Sequence, residues 1–160
     1  MVSVTLICMG KLKEKFQPAA APASEKRLQG YCQFKLLELP EVRLPENPSP
    51  AEIAAGLDKE AEAILGKIPK GAWFCVLTPE GKLLSSEALA RQMEQVKLSG
   101  KGSACFLIGS SFGIAPQVKA RADLKLSMSP MTFPHHLARV MVLEQLYRAE
   151  AIQARSKYHK

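Results

Sequence analysis

A chain of 160 residues with 47% hydrophobic and 23% charged residues can bury one sizeable core, which excludes a disordered or fibrous polymer and predicts a single domain over residues 1–160. No apolar run approaches the roughly 20 residues of a membrane-spanning helix, and residues 1–8 lack the basic flank and cleavage site of a signal peptide, so a cytoplasmic protein is expected. The net charge of +7 is uneven: residues 119–160 hold eight Lys or Arg against Asp123, Glu144 and Glu150, which suits either a polyanionic partner near the C-terminal end or a solvated basic helix.

In chain order, residues 2–9 read as a first apolar strand. Pro18 and Pro22 interrupt residues 12–31, which predicts a helix beginning only after Pro22. A second strand is expected over 33–39, followed by a proline-rich loop over 41–50. Ser49-Pro50-Ala51-Glu52 is a capping box with proline at the first helical position, and its helix is predicted to run to about Gly66. Within it Ile53, Leu57, Ala61, Ile64 and Leu65 recur at steps of four and three, the spacing of one buried face. Further strands are predicted over 72–78, 103–108 and, more weakly, 124–128. Between them a helix from near Ser86 carries Leu89, Met93 and Val96 inward until Gly100, and residues 116–122 form a short one. A long helix over 134–153 closes the chain. Strands alternating with helices define an α/β fold, a mostly parallel sheet flanked by helices, in which ligands sit beyond the carboxyl ends of the strands.

That rule directs attention to three segments rich in Gly, Ser and Pro that leave predicted strands: residues 77–82, 108–113 and 127–134. Gly109 and Gly113 form neither a dinucleotide fingerprint nor a Walker loop, because the third glycine and the Gly-Lys-Ser/Thr ending are missing. Gly109-Ser110-Ser111-Phe112-Gly113 does match the nucleophile elbow of serine hydrolases, and Ser111, Asp123 and His135 follow in hydrolase order. The residue before Pro116 disfavours the helix that such an elbow requires. Cys8, Cys32, Cys75 and Cys105 are far apart and mostly inside apolar runs, which predicts reduced, inert thiols. No Cys-x-x-Cys, His-x-x-x-His or His-x-x-Glu-His spacing occurs, and no metal is expected.

The last helix combines Arg139, Arg148 and Arg155 with apolar Leu137, Val140, Met141, Leu143 and Leu146, and Lys157-Tyr158-His159-Lys160 follows. Guanidinium forks match phosphates, and Tyr or His rings stack on splayed bases, so RNA contacts are expected at Arg139, Arg155, Lys157 and Lys160. The breadth of the apolar surface predicts a further partner for this helix, most simply a second copy in a two-fold dimer.

Leu107-Ile108-Gly109, Gly113, Arg121-Ala122-Asp123, Leu126-Ser127, Met131-Thr132-Phe133-Pro134-His135, Leu137, Arg139-Val140, Glu144-Gln145-Leu146-Tyr147-Arg148-Ala149 and Tyr158-His159-Lys160 closely resemble, in order and spacing, the RlmH family of SPOUT methyltransferases. The resemblance is dense over 105–160; elsewhere it includes residues 6–12 and Asp58-Lys59-Glu60. It implies a SPOUT fold with a C-terminal trefoil knot over about 103–155 and a tail at 156–160. It also implies a homodimer that uses S-adenosylmethionine to methylate N(3) of a pseudouridine in 23S rRNA of the assembled ribosome. Donor contacts then correspond to Leu77, Gly109, Ser110, Ser129, Pro130, Met131, Thr132, Phe133 and Pro134, and the catalytic positions to Arg148, Tyr158 and His159. Two departures stand out. Ser110 replaces a usual glycine, and its side chain is expected to crowd the approach to the donor. Arg155-Ser156-Lys157-Tyr158-His159 replaces Gly-x-Pro-Tyr-His, losing the residues that fix the turn. A serine hydrolase and an RNA-binding module without catalysis are the alternatives.

Overall fold

The computed structural model describes residues 2–11, 20–155 and 158. Five strands, β1 (Ser3–Met9), β2 (Gln33–Leu39), β3 (Trp73–Leu83), β4 (Ser103–Ile108) and β5 (Leu124–Ser127), form one sheet in the order β2-β1-β4-β3-β5, and every neighbouring pair is parallel. Helices α1 (Ala20–Leu28), α2 (Pro50–Lys67), α3 (Ser86–Leu98), α4 (Pro116–Arg121) and α5 (His135–Gln153) alternate with the strands and close the chain.

Parallel neighbours need a crossover, so the chain returns to one edge through a helix each time, and the helices cover both faces. The central strands are therefore buried without interruption, from Val4 to Met9 in β1 and from Ala104 to Ile108 in β4. Their side chains alternate between two cores. Val4, Leu6, Cys8, Phe106 and Ile108 pack with Leu28 of α1, Leu89 and Met93 of α3, and Leu143 and Leu146 of α5. Ile7, Met9, Cys105 and Leu107 pack with Ala61 and Ile64 of α2 and Val118 of α4. The α/β architecture expected from the alternation is the one observed.

Helix α2 starts as the capping box dictates: Ser49 Oγ accepts from Glu52 N–H at 3.1 Å, and the Glu52 carboxylate accepts from Ser49 N–H at 3.1 Å. Its buried face differs from expectation. Leu65 is exposed, because it stands about 100° round the helix from Ile64, whereas Gly56 and Glu60 are buried on the opposite flank of the stripe. Helix α1 begins at Ala20, ahead of Pro22. Proline in a first turn removes an N–H that has no intrahelical acceptor, so the interruption expected there does not arise; residues 12–19 lie outside the described residues. Strand β3 runs on to Leu83, but Leu77 and Lys82 both pair with Leu126, so the four residues between them are an outward bulge.

Helix α5 packs on α1 and α3, so much of its apolar surface is covered by its own chain. It also buries two charges. Arg139, 5% exposed, reaches Glu38 Oε2 at 2.8 Å with Nη1 and donates to Gly10 O with Nη2, which ties the helix to the ends of β1 and β2. Glu150, 3% exposed, pairs with Lys97 of α3 at 2.9 Å, and its Oε1 has no hydrogen-bond partner among the described residues. Removing one member of such a pair strands the other in a poor solvent for charge. Lys97→Met is expected to lower stability by about 2 kcal/mol, below the full cost of a broken buried pair because Lys97 is partly solvated. Urea unfolding checks this: the midpoint should fall while the slope stays constant.

Candidate functional site

Register fixes the site. Leu77 of β3 pairs with Ile108 of β4 on one side and with Leu126 of β5 on the other, so three strands reach the carboxyl edge of the sheet side by side. Each then turns away through one of the three segments singled out above.

After Leu77 the bulge at residues 78–81 is fixed by its own hydrogen bonds. Thr78 Oγ1 donates to the Glu80 carboxylate, which also pairs with Lys119 of α4; these two bonds hold the Glu80 carboxyl down to about 2. Gly81 is required here, since a Cβ would lie 2.7 Å from the backbone carbon of Lys125.

After Ile108 the chain closes a tight turn in which Gly113 N–H donates to Ser110 O at 2.9 Å. A Cβ on Gly109 would sit 2.4 Å from Ile114 and 2.8 Å from Gly113 O, so only glycine fits. His135, at the start of α5, places Nε2 2.7 Å from Gly109 O; a carbonyl only accepts, which makes Nε2 the protonated nitrogen. From the other side, Ser110 Oγ donates to Glu60 Oε1 at 2.8 Å, and Ser111 N–H donates to Glu41 at 3.3 Å. The Ser110 side chain is thus engaged by α2 rather than standing unpaired in the turn.

After β5, Ser127 Oγ donates to Ser129 O, and Ser129 Oγ accepts from Met131 N–H, each at 3.0 Å. This self-bonded turn presents Met131 and Phe133 to solvent. Leu77, Gly109, Ser110 and Ser129 to Pro134 are therefore gathered at one edge, with His135 as the direct link between the second and third turns.

The serine-hydrolase alternative does not assemble. Helix α4 starts only at Pro116, five residues after Ser111, so there is no strand-to-helix elbow. Asp123 is at the other end of the sheet, where its Oδ2 accepts from Phe74 N–H at 2.8 Å, and His135 is bonded to Gly109. The four cysteines are all buried; burial pushes the thiols of Cys8, Cys32 and Cys105 up to about 12 and that of Cys75 higher still.

A second cluster surrounds the far end of α5. Glu144 Oε1 accepts from Arg148 Nε–H at 2.9 Å and from the Tyr158 hydroxyl at 2.8 Å. The Tyr158 ring lies between two guanidinium groups, 5.2 Å from Arg148 and 5.7 Å from Arg27, and edge-on to Tyr147 at 4.7 Å. Arg148 and Tyr158 are thus neighbours. Glu144 and Tyr147, which help complete the cluster, belong to the 144–149 run of the resemblance but carried no role there, and Arg27 gave no motif; the four-residue spacing of Glu144 and Arg148 was the further signal available. His159, Lys157 and Lys160 lie outside the described residues. Arg155 is exposed and takes a left-handed backbone, φ 55°, at the position where the resemblance sets glycine. Arg139 is a correction: expected at RNA, it is buried on Glu38 and Gly10, and a guanidinium so enclosed cannot reach a phosphate.

Among solved structures, the fold is similar to that of a probable methylase family protein from Haemophilus influenzae Rd KW20, with a TM-score of 0.52 and 12% identity over 98% of this chain and 70% of that one. This likeness concerns the class of fold alone, a parallel α/β sheet flanked by helices. A family profile described as "Predicted SPOUT methyltransferase" matches residues 2–159. Ribosomal RNA large subunit methyltransferase H of Clostridioides difficile (strain 630) is 42% identical over 99% of this chain and its own full length, and the protein of that name from Alkaliphilus oremlandii (strain OhILAs) is 41% identical over the same shares. The chain belongs to the SPOUT methyltransferases and, within them, to the RlmH family.

The buried thiols have a measurable consequence. With folded values raised above the ordinary 9.0, the native state keeps its thiol protons between pH 9 and about 12 while the unfolded state releases them. Their contribution to stability is complete below pH 9 and is lost as pH rises through that window. Native protein is expected to resist a disulfide reagent at pH 8 and to become easier to unfold by urea above pH 9. Rapid labelling of all four thiols in the native state would contradict this burial.

Proposed function

We propose that this chain transfers the methyl group of S-adenosylmethionine to N(3) of a pseudouridine in 23S rRNA of the assembled ribosome. The observation that carries the reading is the level alignment of three exit turns in a chain whose relatives, matched end to end, are named ribosomal RNA large subunit methyltransferase H.

The residues at the three turns suit this donor. Leu77, Gly109, Ser110 and Ser129 to Pro134 include no Lys or Arg; they offer backbone groups, hydroxyls and the apolar side chains of Leu77, Met131 and Phe133. A nucleotide phosphate calls for cations or helix N-termini, whereas adenosine with a positively charged sulfonium is better served by apolar walls and neutral acceptors. When bound, the donor supplies an electrophilic methyl group whose leaving group departs as a neutral thioether. The demand on the protein is therefore at the acceptor: N(3) carries a proton that must leave before its lone pair can attack. Arg148 stabilises the resulting uracil anion, His159 takes or orients the N(3) proton, and Tyr158 stacks on or bonds the target base. Glu144 orients both Arg148 and Tyr158. Arg155, Lys157 and Lys160 hold RNA phosphates.

Among the described residues of one chain, Arg148 stands apart from the turns. It lies thirteen helical steps along α5 from His135, which touches the β4 turn, roughly 20 Å at helical rise. A two-fold dimer in which one protomer's tail meets its partner's turns closes that gap. Exposed Met131, Phe133 and Leu137, beside the turns, supply apolar surface for it. The trefoil knot over about 103–155 belongs to the same reading.

Calorimetry should detect S-adenosylmethionine binding, and labelled methyl should pass to ribosomes that lack the modification; silence at millimolar donor would end the proposal. The dimer has its own test. Gly109→Val, defective at the turn, and Arg148→Ala, defective at the tail, are each expected to lose at least 100-fold in turnover. Mixed heterodimers should regain part of the activity, since one of their two sites is intact; no recovery in verified heterodimers means the tail serves its own chain.

A further inference from the structure

Glu60 stands in the middle of α2, 6% exposed, and among the described residues no cation pairs with it. A buried carboxylate is costly unless its oxygens are bonded. Both are: Oε1 accepts the Ser110 hydroxyl at 2.8 Å, and Oε2 accepts Val42 N–H, just after β2, at 2.9 Å. On this flank Ser111 N–H also donates to Glu41 at 3.3 Å, and a cleft lined by Glu41, Leu44, Leu57, Glu60, Ser110 and Phe112 opens beside the β4 exit turn. On the other flank His135 grips Gly109 O. The turn is thus suspended between α5 and α2, and Glu60 is the α2 anchor.

We propose that Glu60 is a positioning residue for the methyl donor: acting through the Ser110 hydroxyl, it sets the orientation of the Gly109-Ser110 turn and ties that turn to the exit of β2. The inference rests on the reading that this turn contacts the donor. Serine at position 110 then has a task, since among the described residues its hydroxyl is the side-chain group of the turn that bonds Glu60.

The test compares full-length wild type with Glu60→Ala, Glu60→Gln, Ser110→Ala and the Glu60→Ala/Ser110→Ala double variant. Two readouts are used: S-adenosylmethionine affinity by calorimetry, and hydrogen exchange of the Ser111 to Gly113 amides without donor. Glu60→Ala is expected to weaken donor binding about tenfold, the effect of losing one charge-assisted hydrogen bond, and to speed exchange in the turn. Ser110→Ala should do nearly the same, and the double variant should be no weaker than the singles, because both changes cut one link. Glutamine can accept from Val42 N–H with Oε1 and donate to the Ser110 hydroxyl with Nε2, so Glu60→Gln should stay within about twofold of wild type. Wild-type affinity and exchange in both alanine variants would overturn the proposal, as would losses that simply add. Should Glu60→Ala fail to fold, Ser110→Ala, which leaves Glu60 bonded to Val42, decides alone. Wild type that binds no donor sinks the functional reading, whereas wild type that binds with Glu60→Ala unaffected sinks only this inference.

Discussion

The pairing of Leu77 with both Ile108 and Leu126 is the constraint on which the rest of the molecule depends. Because all five strands run the same way, every exit lies at one edge, and this three-strand level decides which exits are neighbours. Each turn then needs little independent stability. One is tied to α4 through Glu80 and Lys119, one is held between His135 and Glu60, and one bonds to itself through Ser127 and Ser129. Steric demand reinforces the register, since Gly81 and Gly109 accept no side chain without displacing backbone or Ile114.

Helix α5 converts that edge into a longer structure. Its first residue bonds the β4 turn, Arg139 fastens it to Gly10 and Glu38, and Glu150 fastens its last turns to α3. Both charged anchors are buried, and among the described residues each retains an unpartnered atom, Arg139 Nε and Glu150 Oε1. Such pairs often add less to stability than apolar packing of equal volume, yet each one joins α5 to a named partner, Arg139 to Glu38 and Gly10 and Glu150 to Lys97. For a helix that runs from the β4 turn to the Arg148 and Tyr158 cluster, direction matters more than strength.

Much of this was legible in the chain. The five apolar runs, the capping box at Ser49 and the inward Leu89, Met93 and Val96 of α3 are local patterns, and local patterns fix elements. The exits of the strands pointed to three segments that the structure gathers at one edge, because a parallel sheet brings its strand exits to the same side. Side-chain partnerships were not legible, because they join residues distant in sequence. Glu60 in a helical stripe reads as an exposed charge until Val42 and Ser110 arrive on either side of it. Arg139 reads as a surface cation for the same reason, although Glu38, 101 positions earlier, encloses it. Spacing alone places Leu65 on the buried face, but spacing does not say where the centre of the stripe falls. Pro22 does not delay α1, because the cost of proline depends on which turn of the helix it occupies.

Arg155 closes α5 in a conformation that glycine adopts freely and that costs other residues on the order of 1 kcal/mol. The left-handed turn after α5 and the cation placed at that point therefore depend on a single residue. A glycine there would relax the backbone and surrender the charge, whereas arginine keeps the charge at the cost of the strain.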